Sequence, residues 1–287
     1  MEFLIFVLGV LYVGFVFYLL LRAGLLLDHM FPVVPSMRWS RNRLLVAWSI
    51  WLLMAAFAML VPASMMIDSP RLARRSQCVN NLKQIVLAMH NYRDRYGCFP
   101  PAHTVDATGR PLHSWRVLVL PFLEHQALYD SIRLDEPYDS PHNRAVFDAV
   151  ESGNERPRSM PDVFWCPSDR KNHTETNYVM VVGPHTISNA PKCVRLKDIA
   201  DGASNTIAVV ETYDSGIRWY EPRDLSAEQM SFKINDPEYV GIGSRHPGGA
   251  NVALCDAAVR FLEETLDPEV VRALTTINGG EKLPPDW

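Results

Sequence analysis

The chain has 287 residues, with 28 Lys and Arg against 32 Asp and Glu and a net charge of −4. That balance excludes a strongly basic nucleic-acid-binding surface, which needs clustered Lys and Arg to neutralise phosphates. The five cysteines, Cys78, Cys98, Cys166, Cys193 and Cys255, form no CxxC and no Cys/His pair at zinc-finger spacing, so no structural metal site is expected and one thiol is left over.

From Phe3 to Leu21 the chain is continuously apolar and aromatic between Glu2 and Arg22, long enough for a helix to cross about 30 Å of hydrocarbon. The basic start of a cleaved leader is absent, the apolar core is too long and no small-residue cleavage site follows, so a retained transmembrane helix over about 3–21 is expected. Leu44 to Ile67 is a second uncharged apolar run, holding Trp48, Trp51 and Pro62, and is read as a second span. The loop between them, Asp28 to Arg43, carries Arg38, Arg41 and Arg43, with Trp39 placed as an interfacial anchor. The positive-inside rule puts this loop in the cytoplasm and everything after Ile67 on the outer side of an inner membrane, although Arg71, Arg74 and Arg75 weigh the other way. Residues 1–67 are thus expected to form a two-helix membrane anchor with the lipid bilayer as partner, and residues 68–287 one outward-facing, periplasmic or extracytoplasmic domain.

Asp68-Ser69-Pro70 reads as a helix start, since proline is tolerated in the first turn. Leu72, Val79, Leu82, Ile85, Val86, Met89, Tyr92 and Tyr96 then recur at three- and four-residue intervals, predicting a core-facing helix that Gly97 and Pro100-Pro101 end. Further on, a helix is expected from near Glu124, and Asp135 to Pro161 reads as a surface excursion in which Ala145 to Val150 make a helical turn or two. Phe164-Trp165-Cys166 and Tyr178 to Val182 read as short strands, the latter ended by Gly183-Pro184. The turn dipeptide Asp201-Gly202 leads into a strand over Thr206 to Glu211. The closing motif is a hairpin, Asn251 to Cys255 and Val259 to Leu262, around a turn at Cys255 to Ala258. One long helix followed by short antiparallel strands makes the expected fold class α+β.

His246 stands at the entrance to this hairpin and reads as a metal ligand, a general base or a hydrogen-bonded turn residue. Gly248-Gly249 suits a positive φ or a close backbone approach, and Asp256 in the turn suits capping of backbone N–H groups. Asp198, Asp201, Asn205 and Glu211 are oxygen ligands a cation such as Ca2+ could use, but without calcium-loop spacing, and no cofactor is expected. Trp219, Tyr220 and Tyr239 lie in loops where an aromatic ring can stack on a sugar or peptide. No G-x-S-x-G elbow, HExxH, Walker loop or GxGxxG is present, so no catalytic residue is assigned. If the helix from Pro70 is continuous, Cys78 and Cys98 lie roughly 27 Å apart at 1.5 Å per residue. That is beyond the reach of a disulfide. Cys78 with Cys166, or Cys166 with Cys193, remain as pairs, and Cys255 as the spare or a buried apolar residue.

Several segments together resemble a known family. They are Arg74-Arg75-Ser76-Gln77-Cys78-Val79-Asn80-Asn81-Leu82-Lys83-Gln84-Ile85, Tyr96-Gly97-Cys98-Phe99-Pro100-Pro101, Trp165-Cys166-Pro167-Ser168-Asp169, Asp201-Gly202-Ala203-Ser204-Asn205-Thr206, Trp219 with Glu221-Pro222, and His246 to Asp256. In this order they resemble the DUF1559 family of prepilin-like proteins with an H-x9-DG motif, whose motif residues here are His246, Gly248, Gly249 and Asp256. The resemblance implies a pilin- or pseudopilin-like fold, a long N-terminal helix packed on an antiparallel sheet, and other envelope or secretion-system proteins as partners. Two departures stand out. Arg43-Leu44-Leu45-Val46 replaces the prepilin cleavage box, and Ala257 follows Asp256 where the family has glycine. A permanently anchored, pseudopilin-like envelope protein with a structural or interaction role is therefore the expected function. An extracytoplasmic module binding a sugar or peptide is the alternative, with a hydrolase behind it.

Overall fold

A computed structural model describes residues 41–149, 160–169, 175–189, 191–284 and 287. Two compact units divide at Pro70 and Arg71. A long helix, α1, runs over Arg41–Tyr96. It continues through Pro70, so the helix start expected there is not a start. The expected span at about 3–21 lies outside the described residues. The expected span Leu44 to Ile67 falls within α1, and no helix among the described residues is long and apolar enough to cross a membrane.

Within the unit from Arg71 onwards, α1 buries Cys78, Leu82, Ile85, Val86, Ala88 and Met89 completely. Their spacing of three and four puts them on one face. Leu72 and Tyr96, expected on that face, are 63% and 53% exposed; the buried stripe begins at Cys78 and also takes in Asn81. Truncating Leu82 to alanine in such a site costs about 2–5 kcal/mol. Gly97 ends the helix at φ +84°, its N–H bonded to the Arg93 carbonyl at 2.6 Å.

Beyond α1 come β1 (His103–Val105) and β2 (Pro111–Ser114), paired antiparallel, then α2 (Trp115–Leu118), α3 (Gln126–Ser131) and α4 (Pro141–Ala149). Ser114 caps α2 by accepting from the Arg116 N–H. The central sheet is built from β3 (Tyr178–Val179), β5 (Ile207–Glu211), β7 (Gly249–Leu254) and β8 (Val259–Glu263), in that spatial order and antiparallel throughout. A parallel pair, β4 (Val181–Val182) with β6 (Leu225–Ser226), lies apart from it, and α5 (Pro268–Thr275) follows the hairpin. Tyr178, Val209, Ala253 and Cys255 pack in one apolar cluster with the buried face of α1. Val179, Val210, Val252 and Leu254 pack in a second cluster with Val271 and Leu274 of α5. The domain is thus α+β with an antiparallel sheet covered on both faces.

Two expected strands differ for local reasons. Tyr178 to Val182 is split because the Met180 N–H is taken by Asp224 Oδ1 at 2.9 Å, so that β3 joins the central sheet and β4 joins β6. Phe164-Trp165-Cys166 is no strand; a 3-10 turn covers Asp162–Phe164 and the Cys166 N–H donates to the Asn177 side chain at 2.8 Å. The disulfide joins Cys98 to Cys193, with Cα atoms 5.7 Å apart. Neither pairing expected from the sequence forms. Cys98 lies just past α1, where the Phe99 N–H donates to the Val194 carbonyl at 2.8 Å and holds the partner segment alongside. Cys78, Cys166 and Cys255 are free and buried.

Candidate functional site

Four elements deliver one donor atom each to a single buried point. Cys78 comes from the inward face of α1, Cys166 from the loop after the 3-10 turn, Glu211 from the last residue of β5 and His246 from the loop entering β7. Their thiol, carboxylate and imidazole atoms all lie within 4.8 Å of one another. None of the four is more than 4% exposed. No other such group of His, Cys, Asp and Glu occurs among the described residues.

Glu211 and His246 are oriented by neighbours. Glu211 Oε2 accepts from the backbone N–H and side-chain amide of Asn251 at 2.7 and 2.9 Å, which turns Oε1 toward His246. Oε1 itself is buried without a hydrogen-bond partner. Ser244 Oγ accepts from the His246 N–H at 3.0 Å and donates to the Gly249 carbonyl at 2.8 Å, pinning the loop onto the start of β7. Gly248 and Gly249 divide two tasks. Gly248 takes φ +84°, and a Cβ on Gly249 would meet the Leu262 carbonyl oxygen at 2.0 Å, so only glycine lets β7 approach β8 there. On the imidazole, Nε2 lies 3.6 Å from Cys166 Sγ and 3.6 Å from Glu211 Oε1, while Nδ1 lies 3.5 Å from Ser168 Oγ.

The charge states follow from this packing. The neighbouring Cys78 thiol is the main influence holding Cys166 down to about 6 against burial, with His246 adding to it. Cys78 is pushed far up, first by its hydrogen bond to Cys166 and then by burial. Burial opposes a charged His246, but the Cys166 and Glu211 side chains outweigh it and hold the imidazole up to about 9. The group therefore favours a thiolate beside an imidazolium, or the same donors around a metal ion. A Cys-His-Glu nucleophilic triad needs the base to address its nucleophile and its orienting carboxylate through different ring nitrogens. Here Cys166 and Glu211 both approach Nε2. Two surface clefts, one lined by Tyr213, Asn235 and Tyr239 and the other by Tyr138, Arg144 and Tyr220, include none of the four donors.

The other sequence-derived candidates do not assemble. Asp198 pairs with Arg195 at 3.0 Å, and Asp201 accepts from the N–H groups of Gly279 and Gly280 at 2.8 and 2.9 Å. Asn205 donates to the Asp201 carbonyl at 3.1 Å, whereas Glu211 belongs to the thiol cluster. Trp219 is fully buried, stacked 6.1 Å from Phe164 and edge-on 5.4 Å from Phe147, which removes it as a platform for a sugar or peptide. Asp256 sits at the opposite end of β7 from His246, its carboxylate accepting from the Ala258 N–H at 2.9 Å while Ala257 takes φ +72°. Cys78 and Cys166 are the donors that sequence spacing did not flag, since a metal-type set spread over four elements has no linear signature. Their traces in the sequence are the candidate pairing of Cys78 with Cys166 and the place of each in a segment carrying the family resemblance.

The fold and site define an α+β domain on an antiparallel sheet, with a closed polar centre between its long helix and that sheet. Residues 69–191 and 212–269 match the model of the family described as protein of unknown function, DUF1559 (SBP_bac_10), and the chain belongs to that family. No curated protein and no solved structure matches it.

Proposed function

We propose that this chain is an envelope protein whose residues 1–67 anchor it in the inner membrane and whose residues 68–287 act outside the cytoplasm as a pseudopilin-like structural or interaction domain. The observation that carries the reading is the Cys98–Cys193 disulfide, which closes the end of α1 onto a distant loop. Such bonds form and persist in oxidising compartments and are rare in a reducing cytosol. The uncharged run at 3–21 supplies the span of the anchor, and Ile50, Leu52, Leu53 and Met54 are 55–70% exposed on α1, an apolar surface suited to lipid or to another apolar helix. Calcium and secretion-system partners are not needed by this reading.

Protease added to spheroplasts tests it. Cleavage of the domain from outside, recovery of a linked Cys98–Cys193 peptide before reduction, and retention of the intact chain in alkali-washed membranes are expected. Protection of the domain, with both thiols free, overturns the outward placement; release by alkali overturns the anchor.

A further inference from the structure

We propose that Cys78, Cys166, Glu211 and His246 together bind one Zn2+ ion in a closed, tetrahedral, structural site. The inference concerns the folded domain alone and stands whether or not the anchoring reading holds.

The donor set argues first. Two thiols and an imidazole select a borderline-soft cation such as zinc over Ca2+ and Mg2+, which take oxygen ligands, and too few cysteines are present for an iron–sulfur cluster. The spacing argues second. With Zn–S near 2.3 Å and Zn–N and Zn–O near 2.0–2.1 Å, neighbouring donors of a tetrahedron stand about 3.3–3.8 Å apart. The two imidazole contacts, to Cys166 Sγ and Glu211 Oε1, are both 3.6 Å. A direct imidazolium–carboxylate hydrogen bond closes to about 2.7–2.9 Å. The observed separation is therefore too long for the bare ion pair and suits two ligands of a shared ion. Convergence of a sulfur and an oxygen on the same Nε2 has the same explanation, since one nitrogen makes one such bond but can share a metal with both.

The surroundings argue third. Glu211 Oε1 is a buried oxygen with no hydrogen-bond partner, while Oε2 is held by two Asn251 donors, the arrangement by which an outer contact aims a ligand. Ser168 Oγ beside Nδ1 does the same for the imidazole, leaving Nε2 for the metal. All four positions are filled by protein and closed to solvent, so no site remains for a reactive water. On binding, the Cys78 thiol proton and the imidazolium Nε2 proton leave to solvent, and the ion ties α1 to β5 and to the loops before Pro167 and Pro247.

The test begins with the full-length chain purified in detergent without chelator. Metal analysis is expected to give close to one zinc per chain. Replacement by Co2+ is expected to give the visible bands of tetrahedral cobalt together with thiolate-to-metal charge transfer in the near ultraviolet. Glu211→Gln and His246→Gln should lower the retained zinc at least tenfold, whereas Cys255→Ser, which alters a buried thiol outside the group, should keep it. These wild-type readouts hold even if a ligand variant fails to fold. The proposal is overturned if the folded wild-type chain takes up neither ion, if its peptide map contains a Cys78–Cys166 disulfide, or if Cys255→Ser loses the metal as fully as His246→Gln.

Discussion

Arg116 and Asp224 are buried together in one part of the core, and Glu211 is buried with His246 and two cysteines in another, the two groups meeting at Tyr178. The Tyr178 carbonyl faces the Arg116 guanidinium at 3.4 Å and its hydroxyl meets Cys78. Arg116 donates to Asp224 Oδ1 at 2.7 Å, to the Trp219 carbonyl at 2.7 Å and to the Arg223 carbonyl at 2.8 Å, so its planar fork is matched by acceptors. Asp224 Oδ1 also accepts from Trp115 Nε1 and the Met180 N–H. Each centre nevertheless leaves one carboxylate oxygen without a partner, Asp224 Oδ2 and Glu211 Oε1. An orphan oxygen is thus not enough to indicate a bound ion. The difference lies in the countercharge. Arg116 is a permanent cation supplied by the chain, whereas the Glu211 group holds acids and one titratable base, and becomes a stable closed centre when a cation comes from outside.

Breaking the internal pair gives the largest expected effect. Arg116→Met leaves Asp224 buried without its countercharge and orphans the carbonyls Arg116 served, a loss of about 3–5 kcal/mol. Asp224→Asn leaves the permanent cation of Arg116 buried without its countercharge, a loss of the same order, about 3–5 kcal/mol, although the asparagine oxygen still accepts from Trp115 and Met180. Chemical denaturation of both variants checks this; a loss of under about 1 kcal/mol in either would mean that the charge of its partner is not stranded in the core.

The second centre gives a smaller effect whose presence depends on metal. In chelator, Glu211→Gln removes an unbalanced buried charge while the new amide oxygen still accepts from Asn251, so the variant should be as stable as wild type or more so. In zinc, wild type gains about 2.7 kcal/mol at a free concentration one hundred times the dissociation constant, and the variant does not. Parallel melting curves with chelator and with zinc test the contrast. A Glu211→Gln loss of the same size in both buffers would make this centre another self-sufficient pair like Arg116–Asp224.

The sequence showed more of the scaffold than of either centre. The buried stripe of α1 from Leu82 to Met89, the strand ending at Glu211 and the hairpin around Asp256 each carry a local signal, helical period or strand alternation next to a turn, and local signals survive folding. Arg116 carries none. A single arginine after Ser114 reads as surface, and only the distant carbonyls of Trp219 and Arg223 make it a core residue. Distance along the chain leaves Cys78 and Cys166 as candidate disulfide partners, whereas the true pair, Cys98 with Cys193, is set by tertiary packing that holds the residues just past the helix end beside Val194. His246 is legible as a residue of interest and Asp256 as a turn cap, which its bond from the Ala258 N–H bears out, but the partners of His246 come from α1, β5 and the loop at Cys166, which no local pattern brings together.

A third buried polar group marks the neutral limit of the same comparison, and its effect is the smallest. His113 is 1% exposed; its Nε2 lies 3.2 Å from the Arg133 carbonyl, and Nδ1 is buried without a partner. The ring is therefore held as the neutral tautomer with hydrogen on Nε2, and burial lowers its pKa below the ordinary 6.5. His90 and His103 are lowered as well, burial again leading. As pH falls through 6.5, the unfolded chain takes up protons that these folded imidazoles refuse, so the unfolded state binds more protons and stability drops with falling pH. A declining melting temperature between pH 7 and pH 5, measured in chelator so that zinc release does not contribute, is the expected result. His113→Gln, whose amide can still donate to the Arg133 carbonyl, should flatten that slope. An unchanged slope would show that His113 accepts its proton in the folded state, which requires a partner for Nδ1 and would place it with Arg116 among the balanced charges.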